Sequence, residues 1–498
     1  MRSESDWRRL AAEAERRLAA GQDQAARDLL CVADEDPAAP PAVLGLLAAS
    51  LRRLNRGLEA LPVLERLTAL RPDSAVAEHN LAALLGDLGR FGDGEQAARR
   101  ALAKGGRAPE TWLVLARALQ GQMRLDEAEA AFRQALRADP HFVDAHRDLA
   151  QLIWMRDGDA AAALAELNAA LRAASGNLAL AALRASVQRE VLGDREAYDG
   201  LAAWTDLADV GVQMAAAAAA GGFDPALALR HAEWAERLAP GHGPIRLIRL
   251  SALIAAGRAN EALPGLDAHL LDRPRDQYAL ALQRTAWRIT GDPHALKAAD
   301  YEALVRTYDL EPPPGTADRG AWLEAVAGGL RRLHPFQTHP FGQSVRFGAQ
   351  SALDPRRAGD RDIDSLFEAL RDPITRHVAL VARSDDPAGR AAGTGWDIAG
   401  AWSVRLTAGG RHSDHVHPEG WISSAAYVAL PEAAEATPRG GWLRFGAARI
   451  GAFALEPEYW IEPRPGAVVL FPSYLWHGTE PFQTRGERLT VAFDVQPA

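Results

Sequence analysis

A chain of 498 residues with 48% apolar and 24% charged side chains is long enough for two or three domains with real cores. Its formal charge of −9 argues against a general nucleic-acid or anionic-membrane binder. One cysteine, Cys31, rules out an intramolecular disulfide and thiolate metal sites. The opening Met1–Trp7 stretch lacks the apolar core of a signal peptide, and no strongly apolar run of about 18 residues is present. The expectation is a cytoplasmic protein with neither nucleic acid nor membrane as partner.

The first 300 residues are rich in Ala, Leu, Arg and Glu, with apolar positions at helical spacing. They also repeat. The clearest unit runs from Gly121 to Pro140, and similar pieces end at Pro37, Pro72, Pro240 and Pro274. Pro37 and Pro72 lie 35 residues apart, and Pro240 and Pro274 lie 34 apart. This period, with its Gly, Ala, Ala, Pro spacing, resembles the tetratricopeptide repeat. The residues carrying the likeness are Trp112, Leu115, Gly121, Ala128, Phe132, Ala135 and Pro140. Small residues let paired helices approach, and the proline ends the second helix before the next unit. About eight such units fit between Trp7 and Pro274, those around 175–210 poorly formed, and stacking them yields a superhelix with a concave face. That face is the expected place for a protein or peptide partner.

After about Thr290 the pattern changes. Leu310-Glu-Pro-Pro-Pro-Gly315 signals a turn or linker, and Gly320–Leu333 reads as one more helix. Strands are then expected at Trp402–Leu406, Ile422–Leu430, Ala467–Phe471 and Arg488–Val495, punctuated by Pro418, Gly440-Gly441 and Pro465-Gly466. Many short strands with tight turns indicate a jelly roll. The expected architecture is a multidomain α + β chain: helical repeats over 1–300, a linker over 301–320 and a β-domain over 321–498.

The chemistry concentrates near the end of the chain. His415 and His417 are two residues apart, so in an extended strand both rings point to one side. His477 follows from a separate strand and Arg488 comes eleven residues later. Three imidazoles can hold a metal on one side and leave positions open opposite. An arginine is permanently charged and matches a carboxylate bidentately. On the last strand Arg488, Thr490, Ala492 and Asp494 share one face.

The segments His415–Pro431, Pro465–His477 and Arg488–Phe493, together with His339–Ser351 upstream, resemble the 2-oxoglutarate- and Fe(II)-dependent oxygenases. More narrowly, they resemble a bacterial group in which this domain follows tetratricopeptide repeats. The resemblance implies a double-stranded β-helix in which His415, His417 and His477 bind Fe(II). Arg488 would pair with the C5 carboxylate of 2-oxoglutarate, and O2 would take the remaining position. It implies a dioxygenase, most simply a hydroxylase. Tyr427 is a candidate hydrogen-bond partner of 2-oxoglutarate; packing inside the barrel is the other reading. Asp414, Gln343 and Arg346 are candidate residues around the metal or substrate. His412 is read as a surface or supporting residue, Arg405 as a salt-bridged surface residue, and Trp421, Trp442, Trp460 and Trp476 as core or rim.

One departure stands out. The wider superfamily has His-x-Asp or His-x-Glu at the first pair, and here His417 takes the second position. A neutral imidazole there makes the site one unit more positive and is expected to weaken Fe(II) binding or to alter its redox behaviour. Two other readings follow. A three-His zinc hydrolase would use the same ligands but has no role for Arg488. A catalytically degenerate adaptor would keep only the repeats in use. A cupin fits poorly, because Glu419 follows His417 by two residues where a cupin needs about four.

Overall fold

The computed structural model describes residues 2–34, 36–295, 300–316, 318–393, 395–431 and 438–497. The chain forms two compact units, Met1–Leu152 and Ile153–Ala498.

The first unit is built from helices of similar length in pairs, among them Ala75–Asp87 with Phe91–Ala103 and Pro109–Gly121 with Leu125–Ala138. Their inward faces carry alanine and leucine: Ala97, Ala98, Ala101, Ala116, Ala128 and Ala135 are fully buried beside Phe132. Gly121 shows why the repeat demands a small residue. A Cβ added there would lie 2.5 Å from the Phe91 ring, so any side chain would push neighbouring pairs apart.

The second unit opens with the same helical grammar, from Ala160–Ala173 to Gln277–Thr290. Around 175–210 the pattern is irregular: after Leu178–Val191 comes only the six-residue helix Asp194–Asp199. The chain then becomes strand-rich. In order, β1 is Arg306–Asp309, β2 Val345–Gln350, β3 Trp396–His412, β4 Ile422–Ala429, β5 Leu443–Phe445 and β6 Arg449–Ile450. They are followed by β7 Phe453–Ala454, β8 Tyr459–Ile461, β9 Ala467–Pro472, β10 His477–Thr479 and β11 Arg488–Pro497.

A six-stranded sheet of order β1-β9-β4-β11-β3-β2 faces a three-stranded sheet of order β10-β5-β8, and every pairing is antiparallel. This is the double-stranded β-helix. Its middle strands β4 and β9 are buried along almost their whole length. That follows from helices covering the outer face of the large sheet: Arg319–Arg331 packs on β4, and Arg361–Val381 packs on β9 and β1.

The four expected strands all form, β3 and β11 longer than expected. Within the segment read as a linker, Arg306–Asp309 is the edge strand β1, paired with β9, and the proline-rich turn comes only after it. The helix Arg361–Val381 was not expected. Its apolar positions Ile363, Leu366, Leu370, Ile374 and Val381 recur at helical spacing and are buried, although Pro373 interrupts the pattern within it.

Candidate metal centre

His415 and His417 sit on irregular chain after β3, and His477 opens β10. β3 ends at His412, and His415 then makes one antiparallel bridge to His477. The two residues exchange backbone hydrogen bonds: His415 N to His477 O is 2.9 Å, and the reverse is 3.0 Å. His417 N donates to Ser473 O at 3.1 Å. Both histidines of the pair are therefore extended along the β9–β10 connection, and His-x-His keeps its same-side geometry outside any strand body.

Each ring is locked through Nδ1. His415 Nδ1 lies 2.8 Å from Ser413 O, His477 Nδ1 2.9 Å from Leu475 O, and His417 Nδ1 2.7 Å from Asp494 Oδ1. Carbonyl and carboxylate oxygens only accept, so each Nδ1 carries the hydrogen. In a neutral ring held this way, Nε2 is the nitrogen left with the lone pair. The three ligand atoms lie within 4.8 Å of one another, and His415 Nε2 and His417 Nε2 are 3.1 Å apart.

Two lone pairs that close repel unless a cation sits between them. With metal–nitrogen bonds of ~2.1 Å, ligands at a right angle are ~3.0 Å apart and tetrahedral ligands ~3.4 Å. The observed separation lies nearer the right-angled case. Burial, and then the adjacent His417 ring, holds His415 down to about 3. His477 and His412 are also far below their ordinary range, mainly through burial and then through the neighbouring rings. Neutral rings are what a metal needs, since no proton has to leave first.

The rings open into a cavity of about 380 Å³. Arg488, Thr490, Ala492 and Asp494 all line it from β11, as strand alternation requires. Trp402, Val416, Ala425, Leu443 and Phe471 form its apolar wall. Arg488 is 2% exposed. Its guanidinium lies over the Tyr427 ring, 5.1 Å from the centroid, and Nε has no hydrogen-bond partner. No carboxylate among the described residues pairs with it. Burial lowers its affinity for the proton, and the Tyr427 hydroxyl opposes that shift only in part. A buried cation without a counter-ion is costly, so the cavity is built for an anion. Three lone pairs for a metal and a guanidinium for a carboxylate together fit Fe(II) and 2-oxoglutarate.

The remaining candidates fall in different places. Tyr427 is buried, with its hydroxyl unpartnered. Asp414 turns to Arg444, which grips it with Nε at 2.9 Å and Nη2 at 2.6 Å, so its oxygens are engaged away from the histidines. Gln343 lines the cavity. Arg346 lines a neighbouring cleft with His339 and Phe347, and donates to Gln343 O at 2.6 Å and Val345 O at 2.7 Å. His412 stacks on His415 at 5.8 Å and shares the Ser344 hydroxyl with it, at 2.9 and 3.2 Å. Arg405 pairs with Glu487 at 2.7 Å. Trp421 and Trp476 are buried, and Trp460 Nε1 donates to Glu480. Sequence reasoning placed Asp494 on the right face but gave it no task. The signal was available: a carboxylate six residues after Arg488 on the same face of one strand.

Residues 400–494 match the family model described as "Putative 2OG-Fe(II) oxygenase". The match spans the strand-rich region from β3 to β11. Residues 109–152 match the tetratricopeptide repeat. Similar solved structures include MamA 41-end from Desulfovibrio magneticus RS-1, at 19% identity over 34% of this chain and 97% of that one, with a TM-score of 0.31. A tetratricopeptide repeat protein from Parabacteroides merdae ATCC 43184 matches at 16% identity over 49% of this chain and 98% of that one, TM-score 0.34. A Thermobaculum terrenum O-GlcNAc transferase mutant matches at 22% identity over 27% and 26%, TM-score 0.25. No curated protein matches the chain.

Proposed function

We propose that this protein is an Fe(II)- and 2-oxoglutarate-dependent dioxygenase that hydroxylates a protein or peptide substrate recruited by its repeats. The observation that carries the reading is the pairing, in one cavity, of three converging Nε2 lone pairs with the uncompensated guanidinium of Arg488. A metal-binding histidine cluster alone would suit zinc equally well; the buried cation adds a demand for an anionic co-substrate.

In this reading His415, His417 and His477 hold iron by Nε2, each aimed by its Nδ1 hydrogen bond. Arg488 receives the far carboxylate of 2-oxoglutarate in a charge-assisted pair, with Tyr427 supporting the guanidinium from below and offering a hydroxyl to the same ligand. Trp402, Leu443 and Phe471 exclude water from the reacting atoms. Gln343, on the cavity wall, contacts the substrate, and Arg346 holds that wall in place through Gln343 O. When bound, iron and 2-oxoglutarate supply the oxidising chemistry, with O2 as oxidant and succinate and CO2 as products.

The repeats deliver the substrate, since stacked helix pairs present an extended concave surface to a partner chain. A cytoplasmic location belongs to the same proposal: no helix among the described residues is long and apolar enough to cross a membrane, and one lone cysteine suits a reducing compartment.

The test is succinate release and O2 uptake by the full chain with Fe(II) and 2-oxoglutarate, beside the Arg488→Ala variant. Turnover that the variant loses is the expected result. Tightly retained zinc with no consumption of 2-oxoglutarate would overturn it in favour of hydrolysis, and neither metal nor turnover would leave the adaptor reading.

A further inference from the structure

The three-imidazole set carries no negative charge, unlike the two-histidine, one-carboxylate triad of non-haem Fe(II) oxygenases. A carboxylate is nevertheless present one bond further out. Asp494 Oδ1 accepts from His417 Nδ1 at 2.7 Å, so the histidine that stands in for the usual carboxylate is the one that a carboxylate grips. His415 and His477 donate instead to backbone carbonyls.

Asp494 is placed with care. It is 8% exposed, and the Ser423 hydroxyl donates to the same Oδ1 at 2.7 Å, with Ser473 Oγ 2.8 Å behind it. The β11–β3 register shifts between Asp494 and Val495, a bulge of the kind that re-aims a side chain. Gly420 makes room for the group: a Cβ there would lie 3.0 Å from Asp494 Cγ and 2.4 Å from Ser473 Oγ. Among the described residues no lysine or arginine pairs with this buried carboxylate. An isolated buried charge is expensive, and a divalent cation on the far side of His417 would balance it.

We infer that Asp494 is a positioning residue that passes to the metal, through His417, the negative charge a carboxylate ligand would otherwise bring directly. A carboxylate hydrogen-bonded to a ligating imidazole orients the ring and raises its basicity as a donor. The site then keeps the net charge of the ordinary triad with a different first ligand. The inference rests on the metal reading of the three histidines but not on 2-oxoglutarate turnover.

The test is anaerobic Co(II) and Fe(II) binding by the full chain, read by calorimetry and by the Co(II) visible spectrum, without co-substrate. Asp494→Asn keeps shape and an acceptor oxygen but drops the charge. Affinity is expected to fall about 10–100-fold, with a changed Co(II) spectrum and an unfolding midpoint close to that of the parent. In a His417→Asp background, where the ligand brings its own charge, Asp494→Asn is expected to leave affinity unchanged or to raise it. Ser423→Ala, which removes one hydrogen bond and no charge, is expected to change affinity less than threefold. Parent-like metal binding by Asp494→Asn overturns the inference, as does an equal loss in both backgrounds, which would mark Asp494 as merely structural. If the parent itself binds no divalent metal, the metal reading fails and takes the inference with it. If it binds metal but does not consume 2-oxoglutarate, the proposed activity fails and the role of Asp494 stands.

Discussion

Buried charges are handled in opposite ways in the repeats and in the metal cavity. Glu78 is 5% exposed and is gripped by Arg100 at 3.0 Å and Lys104 at 2.6 Å. Glu95, 8% exposed, meets Arg99 and Arg124, both at 2.7 Å. In the cavity, among the described residues, Arg488 has no carboxylate and Asp494 has only His417 and a serine. The repeats satisfy their charges internally, which serves stability. The cavity leaves two charges for something that is not protein, which is how a binding site is made at the expense of the empty fold.

Four experiments test that contrast. The largest effect is expected at Arg488. Arg488→Ala should lower 2-oxoglutarate-dependent turnover by at least about 100-fold, and Arg488→Met should leave the unfolding midpoint of the metal-free protein unchanged or higher, since it removes an unpaired buried cation. A fall in that midpoint would mean the guanidinium is a structural group. Next comes metal itself: Co(II) or Fe(II) at 100 times its dissociation constant should stabilise the fold by about 2.7 kcal/mol, measured as a rise in Tm that His477→Ala abolishes.

In the repeats the opposite signature is expected. Glu78→Ala should cost about 1–3 kcal/mol, because its partners lose a buried acceptor, and leave metal affinity as it was. The last test concerns pH and has no effect at neutrality. His377 is fully buried, its Nδ1 3.2 Å from the Tyr308 hydroxyl. Burial, with Arg306 nearby, lowers its ring from 6.5 to about 3. The unfolded chain then takes up the proton first. The stability due to the neutral ring is complete above pH 6.5 and is lost progressively as pH falls from 6.5 toward 3. His377→Gln should flatten that decline in denaturant titrations run across the range.

Much of this was legible in the chain. The 34-residue period announces stacked helix pairs because each pair can bury its apolar face only against a neighbour, and Gly121 and Phe132 fall where that packing requires them. The alternation Arg488, Thr490, Ala492, Asp494 marks one wall of the cavity because strand side chains change sides at every residue. The helix Arg361–Val381 and the edge strand β1 were missed. A proline inside the one and a proline-rich turn just after the other masked short-range signals that distant packing overrides.

Local period and residue chemistry mark the two architectures, the His415/His417 pair on one side of an extended segment, and the face of the last strand that carries Arg488. Long-range packing brings His477 to that pair, turns Asp414 to Arg444 and sets Asp494 against His417. A carboxylate's partner is set by which distant strands and loops bring donors within about 3 Å, and a separation of 77 positions between His417 and Asp494 carries no local signal of that meeting.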